Sequence, residues 1–343
     1  MKPGAQQKSS EAAKGRIRKH RLAIPSPTEM AEMLHAENRA ALSEAITMSE
    51  SLLPEDVRWT NDLLDLLVHK SNNTIRIGIT GVPGVGKSTF IESFGLHLIA
   101  QGLKVAVLAI DPSSERSGGS ILGDKTRMYK LAQEENAFIR PSPAREALGG
   151  VARRTREVIT LCEAGGYDVI IIETVGVGQS ETTVRHMVDF FLLLMLSGAG
   201  DELQGIKRGI MEMADAVVIT KADGDNQLAS KRAAGEYKAA LHLFPPAANK
   251  WTPQVSTCSA LQNEGISEVW DLIQSFKKQL SEVGWLAQQR SRQDVHWFKE
   301  SVHEQVLEHF YKNPEKAMLV KSLQDQVEEG KISPFRAARK LFE

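Results

Sequence analysis

The sequence predicts an α/β fold in which helices cover both faces of a mostly parallel, doubly wound sheet. Short β-branched runs alternate with helical patterns between about residues 73 and 284. A glycine-rich segment follows the first of these runs, and polar or acidic residues follow several others. Alternation of strand and helix favours a parallel sheet, whose strands end at a common edge where ligands bind.

The predicted elements follow one another with regular spacing. One helical pattern through Met30, Leu34 and Ala45 and a second through Val57 and Leu63 give a helical lead-in, with Pro54 as a start signal. The β-rich runs that follow are candidates for strands of one sheet because they are short, apolar and separated by helical segments. They span residues 74–80, 105–110, 137–140, 167–172, 190–196, 216–220 and 254–257.

Four regions result from this organisation. Residues 1–26 form a basic tail that we expect to be disordered, although a transit peptide to an organellar matrix is an alternative. Residues 27–72 are a helical extension and residues 73–284 contain the sheet. Residues 285–343 form a polar helical arm with a narrow apolar stripe, which either packs back or pairs with a second copy. We favour a dimerisation arm.

Composition excludes several classes of function. Among 343 residues, 42 Lys and Arg nearly balance 43 Asp and Glu, so no overall charge favours nucleic acid or an acidic membrane. The two cysteines, Cys162 and Cys258, match no metal-ligand spacing, and we expect both to be buried or inert in a reducing compartment. No apolar run approaches the roughly 20 residues of a membrane helix. We expect a soluble, cytoplasmic protein.

The segment after the first β-rich run fits the phosphate-binding loop, in which two glycines four residues apart precede Lys and Ser. Its residues are Gly81, Val82, Pro83, Gly84, Val85, Gly86, Lys87 and Ser88, and Thr89 continues into a helix. Backbone N–H groups of such a loop surround phosphate oxygens at the positive end of the helix. Lys87 would neutralise the β and γ oxygens, and Ser88 would bind Mg²⁺. The sequence therefore predicts a P-loop nucleoside triphosphate site.

Two carboxylates follow β-rich runs near this loop. Asp111 comes after the run 105–110, and Glu173 comes after the run expected to end at residue 172. Either carboxylate alone is commonly a helix cap or a solvated strand end. Beside a P-loop, however, this position suits the acid that supports Mg²⁺, and the N–H of Gly176 suits the γ-phosphate. We expect Asp111 or Glu173 to contact the metal or its water shell.

A second motif predicts which base is bound. Asp223 in the sequence Thr-Lys-Ala-Asp can accept from the adjacent N1–H and N2–H of guanine, a pair that adenine lacks, and the stem of Lys221 would cover the purine. Thr220 stands where Asn is usual. The segment Ser259, Ala260 and Leu261 would bring a backbone N–H to the guanine O6. The sequence therefore favours GTP over ATP.

Three glycine-rich polar segments lie beside the expected phosphates and are candidate switches. They span residues 118–127, 176–181 and 197–207, although ordinary surface loops remain an alternative. Gln179 is a candidate to orient the attacking water. No arginine is an obvious transition-state finger, and such a group contributes about 10³- to 10⁵-fold in rate. We expect slow intrinsic hydrolysis that a partner accelerates.

Several motifs together resemble the MeaB/ArgK family, which belongs to the SIMIBI class of P-loop GTPases and includes the methylmalonic aciduria type A protein. The resemblance spans about residue 38 to the final helices, and it excludes the basic tail. The motifs that carry it begin at Gly81, Asp111, Gly118, Glu173, Asp201 and Thr257.

This resemblance implies a homodimeric GTPase chaperone that binds adenosylcobalamin-dependent methylmalonyl-CoA mutase or a related acyl-CoA mutase. It would gate cofactor loading and protect the mutase from inactivation. Its ligands would be GTP or GDP and Mg²⁺, with no direct binding of cobalamin expected. The implied metal group is Ser88, Asp111, Asp124 and Glu173, and residues 201–207 become a partner-responsive third switch. The candidate catalytic residues are Lys87, Glu173, Gln179 and Lys207.

Rival classes predict features of their own. A nickel-insertion GTPase should carry a His-rich or Cys-His tract, whereas the nine histidines here are scattered. A signal-recognition-type GTPase should bring a Met-rich domain, and the ten methionines form no cluster. An ATP-dependent kinase of amino-acid transport is a further alternative, which Asp223 disfavours.

Overall fold

The computed structural model describes residues 24–68, 73–110, 128–142, 148–174, 180–198 and 208–343. Its described strands form one seven-stranded sheet in the order β3-β2-β4-β1-β5-β6-β7, and each neighbouring pair is parallel. The predicted α/β fold class is therefore confirmed. The strands are β1 (Ile75–Gly81), β2 (Val105–Ile110), β3 (Ala137–Ser142), β4 (Val169–Thr174), β5 (Phe190–Met195), β6 (Ala216–Ile219) and β7 (Gln254–Thr257).

Helices precede, connect and follow these strands. Three precede the sheet: α1 (Pro27–His35), α2 (Arg39–Ser49) and α3 (Pro54–Leu67). Those between strands are α4 (Lys87–Ala100), α5 (Tyr129–Ala132), α6 (Leu148–Ala164), α7 (Ser180–Arg185), α8 (Arg208–Met213) and α9 (Gln227–Leu241). Those after the sheet are α10 (Ile266–Glu282), α11 (Trp285–Lys312), α12 (Pro314–Glu328) and α13 (Pro334–Lys340).

The central strands are buried on both faces, which explains why they appear in the sequence as unbroken apolar runs. Every residue of β1, β4, β5 and β6 is buried, whereas the edge strand β7 is partly exposed. Ile77 of β1 is in register with Ile171 on one side and Phe190 on the other. Parallel sheets covered by helices on both faces require this composition.

The strand β4 ends later than the sequence indicated. We expected a strand end at residue 172, with Glu173 in the following loop, but Glu173 and Thr174 continue the strand. Thr174 is fully buried, and its hydroxyl donates to Thr80 Oγ1 on the adjacent strand at 2.8 Å. This contact satisfies a polar side chain inside the sheet, so a threonine that resembles a loop residue remains in the strand.

The lead-in contains one helix more than the periodicity suggested. Glu37 has φ 60°, a conformation that interrupts a right-handed helix, and the Asn38 side chain then caps α2 by accepting from the N–H groups of Ala40 and Ala41. The single pattern expected around residues 30–45 is therefore divided into α1 and α2. These helices pack against α3 and α6.

The chain divides into two compact units, Met1–Gln279 and Leu280–Glu343. In the first unit, Phe276 of α10 packs edge-on against Phe190 and Trp251, with ring centroids 4.9 and 5.1 Å away. In the second unit, Phe310 stacks on Phe342 with centroids 5.6 Å apart. Among the described helices, none has the length and apolarity needed to cross a membrane.

Candidate nucleotide-binding site

The P-loop candidate connects the end of β1 to the start of α4, and its glycines have identifiable steric reasons. A Cβ on Gly81 would lie 2.5 Å from the Leu194 carbonyl oxygen, so only glycine fits where β1 passes β5. Gly86 precedes the first residue of α4 in a left-handed conformation with φ 93°. The loop therefore presents the N-terminus of α4 at the carboxyl end of the sheet, where anions are favoured.

Lys87, the first residue of α4, folds its side chain back over this loop. Its Nζ donates to the carbonyl oxygen of Gly81 at 2.8 Å, with that of Val82 at 3.5 Å. Burial lowers the pKa of Lys87, and the nearby carboxylates of Glu173 and Glu181 act in the opposite direction. The Lys87 ammonium group is thus held at the loop. It can exchange the Gly81 carbonyl oxygen for a phosphate oxygen without crossing the site.

Ser88 and Glu173 meet at the junction of P-loop and β4. The Ser88 hydroxyl donates to Glu173 Oε1 at 3.4 Å, and the Glu173 side chain is buried. A hydroxyl and a carboxylate oxygen side by side are ligands that suit Mg²⁺, which takes few protein ligands and completes its shell with phosphate and water. In the described part of the chain, no group of three or more His, Cys, Asp or Glu residues forms a metal site.

The loop after β6 is attached directly to the P-loop. Thr220 is buried, and its hydroxyl donates to the Val85 carbonyl oxygen at 2.7 Å. Lys221 Nζ donates to the Gly84 carbonyl oxygen at 2.8 Å. Thr220, which we noted as a departure from the usual Asn, therefore still supplies a hydrogen bond that joins the base motif to the phosphate motif.

Asp223 lies against the loop that follows β7. Ser259 Oγ donates to Asp223 Oδ2, and the Ala222 N–H donates to the Cys258 carbonyl oxygen at 3.0 Å. Ser259 also exchanges backbone hydrogen bonds with Glu264, which closes the turn containing Ala260 and Leu261. The two segments that were predicted separately to contact guanine are thus brought together.

Ser93 supports this arrangement and was missed by the sequence reasoning. It lies in α4, five residues after Ser88, and its hydroxyl donates to the Ala260 carbonyl oxygen at 2.7 Å. The contact joins residues 167 positions apart. A serine in a largely apolar helix gives no signal of such a contact in the sequence.

The predicted site residues fall into two groups. The described ones converge at the carboxyl end of β1, β4, β6 and β7: the loop from Gly81 to Thr89, together with Glu173, Lys221, Asp223, Ser259, Ala260 and Leu261. The others lie outside the described residues, and their roles remain predictions. They are Asp111, Asp124, Gly176, Gln179 and Lys207.

Both cysteines are buried, as expected. Burial raises the pKa of Cys258 to about 12, with a smaller contribution from the Asp223 carboxylate. Burial also raises the pKa of Cys162. A thiol reacts through its thiolate, so these environments suit inert packing groups rather than nucleophiles or metal ligands.

The chain is similar to proteins of one family over most of its length. A family model described as "Methylmalonyl Co-A mutase-associated GTPase MeaB" matches residues 42–315. GTPase ArgK of Escherichia coli (strain K12) is 48% identical over 315 residues, which cover 92% of this chain and 95% of that protein. The mitochondrial methylmalonic aciduria type A homolog of Mus musculus is 48% identical over 314 residues, covering 89% and 76%.

A solved structure extends the similarity to the backbone. The crystal structure titled "LAO/AO transport system kinase" has a TM-score of 0.73 and 42% sequence identity, and the match covers 92% of this chain and 96% of that one.

Proposed function

This chain belongs to the MeaB family of GTPases, and from that membership we propose that it is a chaperone of an adenosylcobalamin-dependent acyl-CoA mutase. The observation that carries the proposal is a P-loop joined by hydrogen bonds to the predicted guanine motif, in a chain whose family is described as associated with methylmalonyl-CoA mutase. In this role the protein gates cofactor loading and protects the mutase from inactivation. GTP hydrolysis converts this protein from its GTP-bound to its GDP-bound state, and the mutase responds to that change.

The phosphate end of the site supplies positive charge and oriented donors. Lys87 leaves the Gly81 carbonyl to bind the β- and γ-phosphates, and the loop N–H groups hold the remaining oxygens. The Ser88–Glu173 contact supports a role in holding Mg²⁺, together with Asp111 and Asp124, and the bound metal would neutralise phosphate charge. We propose further that Gly176 senses the γ-phosphate.

Guanine is bound by residues that follow β6 and β7. Asp223 accepts from N1–H and N2–H, and the Lys221 stem covers one face of the base. Ser259 donates to Asp223 and so holds the carboxylate in a fixed orientation. The backbone at Ser259, Ala260 and Leu261 supplies an N–H to the guanine O6, supported from below by Ser93.

Turnover is slow until the partner binds. Gln179 orients the attacking water, and Lys207 belongs to a switch at residues 201–207 that responds to the mutase. Because the partner accelerates hydrolysis, the rate depends on correct assembly with the mutase and not on the GTP concentration alone. The nucleotide bound to the GTPase then indicates whether assembly has occurred.

We also propose that two copies of the chain pair through the second unit. Apolar side chains recur at helical spacing along α11 and are exposed, at Val295, Phe298, Val302 and Val306. An exposed stripe of this kind is typical of a helix that is buried in an assembly.

The test is an interaction assay with purified adenosylcobalamin-dependent acyl-CoA mutases. Each candidate mutase is captured with this protein in the presence of GDP or a non-hydrolysable GTP analogue, and GTP turnover is measured with and without the mutase. We expect one mutase to bind in a nucleotide-dependent manner and to accelerate hydrolysis by at least tenfold.

Lys87→Ala is the control for the nucleotide site, and Lys231→Ala, an exposed lysine on α9, is its matched control. We expect Lys87→Ala to lower turnover by roughly 100-fold or more, since one preorganised donor contributes about this much. Lys231→Ala should behave as the parent protein. Absence of nucleotide-dependent binding to any mutase, with GTP turnover intact, would contradict the chaperone role alone.

A further inference from the structure

One side chain, Asn226, connects the guanine loop to the end of a neighbouring strand. It ends the short 3₁₀ turn Gly224–Asn226, directly after Asp223. Its Nδ2 donates to the Lys221 carbonyl oxygen at 2.6 Å, and its Oδ1 accepts from Ser197 Oγ at 2.6 Å. Its backbone N–H donates to the Asp223 carbonyl oxygen at 3.0 Å. A single asparagine thus contacts both Lys221 and Asp223, the two residues of the base motif that follow β6.

The contact from Asn226 to Lys221 is made at a residue with an unfavourable backbone conformation. Lys221 has φ 55°, a left-handed conformation that is unfavourable for a residue with a Cβ. Non-glycine residues remain in this region when the surrounding contacts hold them there, and such residues are concentrated at functional sites. From this conformation the side chain of Lys221 reaches the Gly84 carbonyl. The Asn226 amide therefore stabilises the left-handed backbone of Lys221, the residue that connects the base motif to the P-loop.

The contact to Ser197 extends the connection to β5. Ser197 lies two residues after that strand, and β5 is paired with β1 so that Leu194 is in register with Gly81. Asn226 consequently reaches the P-loop by two routes, through Lys221 to Gly84 and through Ser197 and β5 to Gly81. Removal of its amide affects both.

We propose that Asn226 is a positioning residue for guanine recognition, which holds Lys221 and Asp223 in the geometry that the base requires. Asparagine suits this position because it donates to one neighbour and accepts from the other. Aspartate could accept from Ser197 but could not donate to the Lys221 carbonyl. The inference rests on the proposed role of Asp223 and is independent of any mutase.

The experiment compares dissociation constants for GDP and IDP, because hypoxanthine lacks the 2-amino group that Asp223 recognises together with N1–H. We expect Asn226→Ala to weaken GDP binding by about three- to tenfold, the effect of one or two partly exposed hydrogen bonds. IDP binding should weaken less, so the preference for GDP over IDP should fall by about threefold. Asn226→Asp keeps the Ser197 contact but loses the one to Lys221, so it should also lower the preference for GDP over IDP.

Matched variants separate the two hydrogen bonds from general damage. Ser197→Ala removes only the second contact, and we expect a smaller loss of GDP affinity. Gln227→Ala changes the exposed neighbour and should leave both constants unchanged. If Asn226→Ala weakens GDP and IDP equally, or leaves both unchanged, the positioning role is wrong.

Asp223→Asn distinguishes failure of this inference from failure of the site on which it rests. We expect this variant to lose most of its preference for GDP over IDP. If it retains the preference, Asp223 does not read the base and the inference is overturned with that assignment. Neither outcome depends on mutase binding, so the chaperone proposal is tested separately.

Discussion

The two units of the chain bury their apolar side chains very differently. In the first unit, the strands β1, β4, β5 and β6 are buried along their whole length. In residues 285–343, which are described throughout, the buried apolar side chains are Leu323 and Ala337. The larger apolar side chains of α11 are mostly exposed, and Phe298 is 68% exposed.

This difference indicates which unit has a core of its own. A parallel sheet between two helical layers supplies enough buried apolar surface to position a site, and the residues proposed to bind the nucleotide all belong to that unit. A few helices with little buried apolar surface have no comparable source of stability, because packing supplies most helical stability in proteins. The first two predictions below compare a side chain or ion pair of the first unit with one of the second.

The largest difference is expected for phenylalanine. Phe190 is fully buried in β5, whereas Phe335 at the start of α13 is 84% exposed. We expect Phe190→Ala to lower the free energy of unfolding by about 3 to 5 kcal/mol, since it removes buried area and leaves a cavity beside Phe276. Phe335→Ala should change it by less than about 0.5 kcal/mol. Urea denaturation of the two variants and the parent protein measures both values, and similar losses would contradict the comparison.

Ion pairs should show a smaller but parallel difference. Arg185 at the end of α7 donates to both carboxylate oxygens of Asp215, which is buried and also accepts from the Phe191 N–H. We expect Arg185→Met to cost about 2 to 4 kcal/mol, because it leaves a buried carboxylate without its cation. The exposed pair Lys312–Glu308 on α11 is the control, and Lys312→Ala should cost at most about 0.5 kcal/mol.

The pH dependence of the first variant has a definite sign. Burial raises the pKa of Asp215 above its ordinary value of 3.8, while Arg185 lowers it. Without Arg185 the pKa in the folded state rises further, so the folded protein binds the proton more tightly than the unfolded chain does. The stability of Arg185→Met should therefore increase relative to the parent as the pH falls from about 8 to 5. If the stability lost in Arg185→Met relative to the parent does not become smaller as the pH falls, the Asp215 carboxylate is not the cause of that loss.

Most of the fold could be predicted because the central strands must be apolar on both faces. Each of the predicted β-rich runs coincides with a strand, and the deviations occur at ends. Thr174 and Glu173 are polar in sequence, yet Thr174 is satisfied by Thr80 from another strand. The division of the lead-in at Glu37 depends on one backbone angle. Features that depend on one contact or one torsion leave no periodic signal.

The same distinction applies to the site. Lys87, Ser88 and Asp223 belong to motifs in which residue type and spacing follow from phosphate and guanine chemistry. Ser93 and Asn226 support the neighbouring residues Ala260 and Lys221 through a single hydroxyl or amide, and many side chains of either type would look identical in the sequence. The sequence thus predicts the groups proposed to contact the ligand better than the groups that orient them.

The smallest effect concerns the exposed stripe of α11. Val302 lies within this stripe and is 40% exposed. If two copies pair through it, Val302→Asp should weaken the dimer by at least about tenfold, equivalent to about 1.4 kcal/mol, because a carboxylate would be buried without a partner. Sedimentation velocity over a range of protein concentrations measures this change directly.

The control is Glu300→Lys, which changes the charge on the other side of the same helix. We expect it to retain the proposed dimer, and we expect Val302→Asp to retain GDP binding, because the residues proposed to bind the nucleotide belong to the first unit. A parent protein that is monomeric at all concentrations would contradict pairing. If instead Val302→Asp lost GDP affinity together with the dimer, the second unit would be required for the site, and the separation of roles between the two units would be wrong.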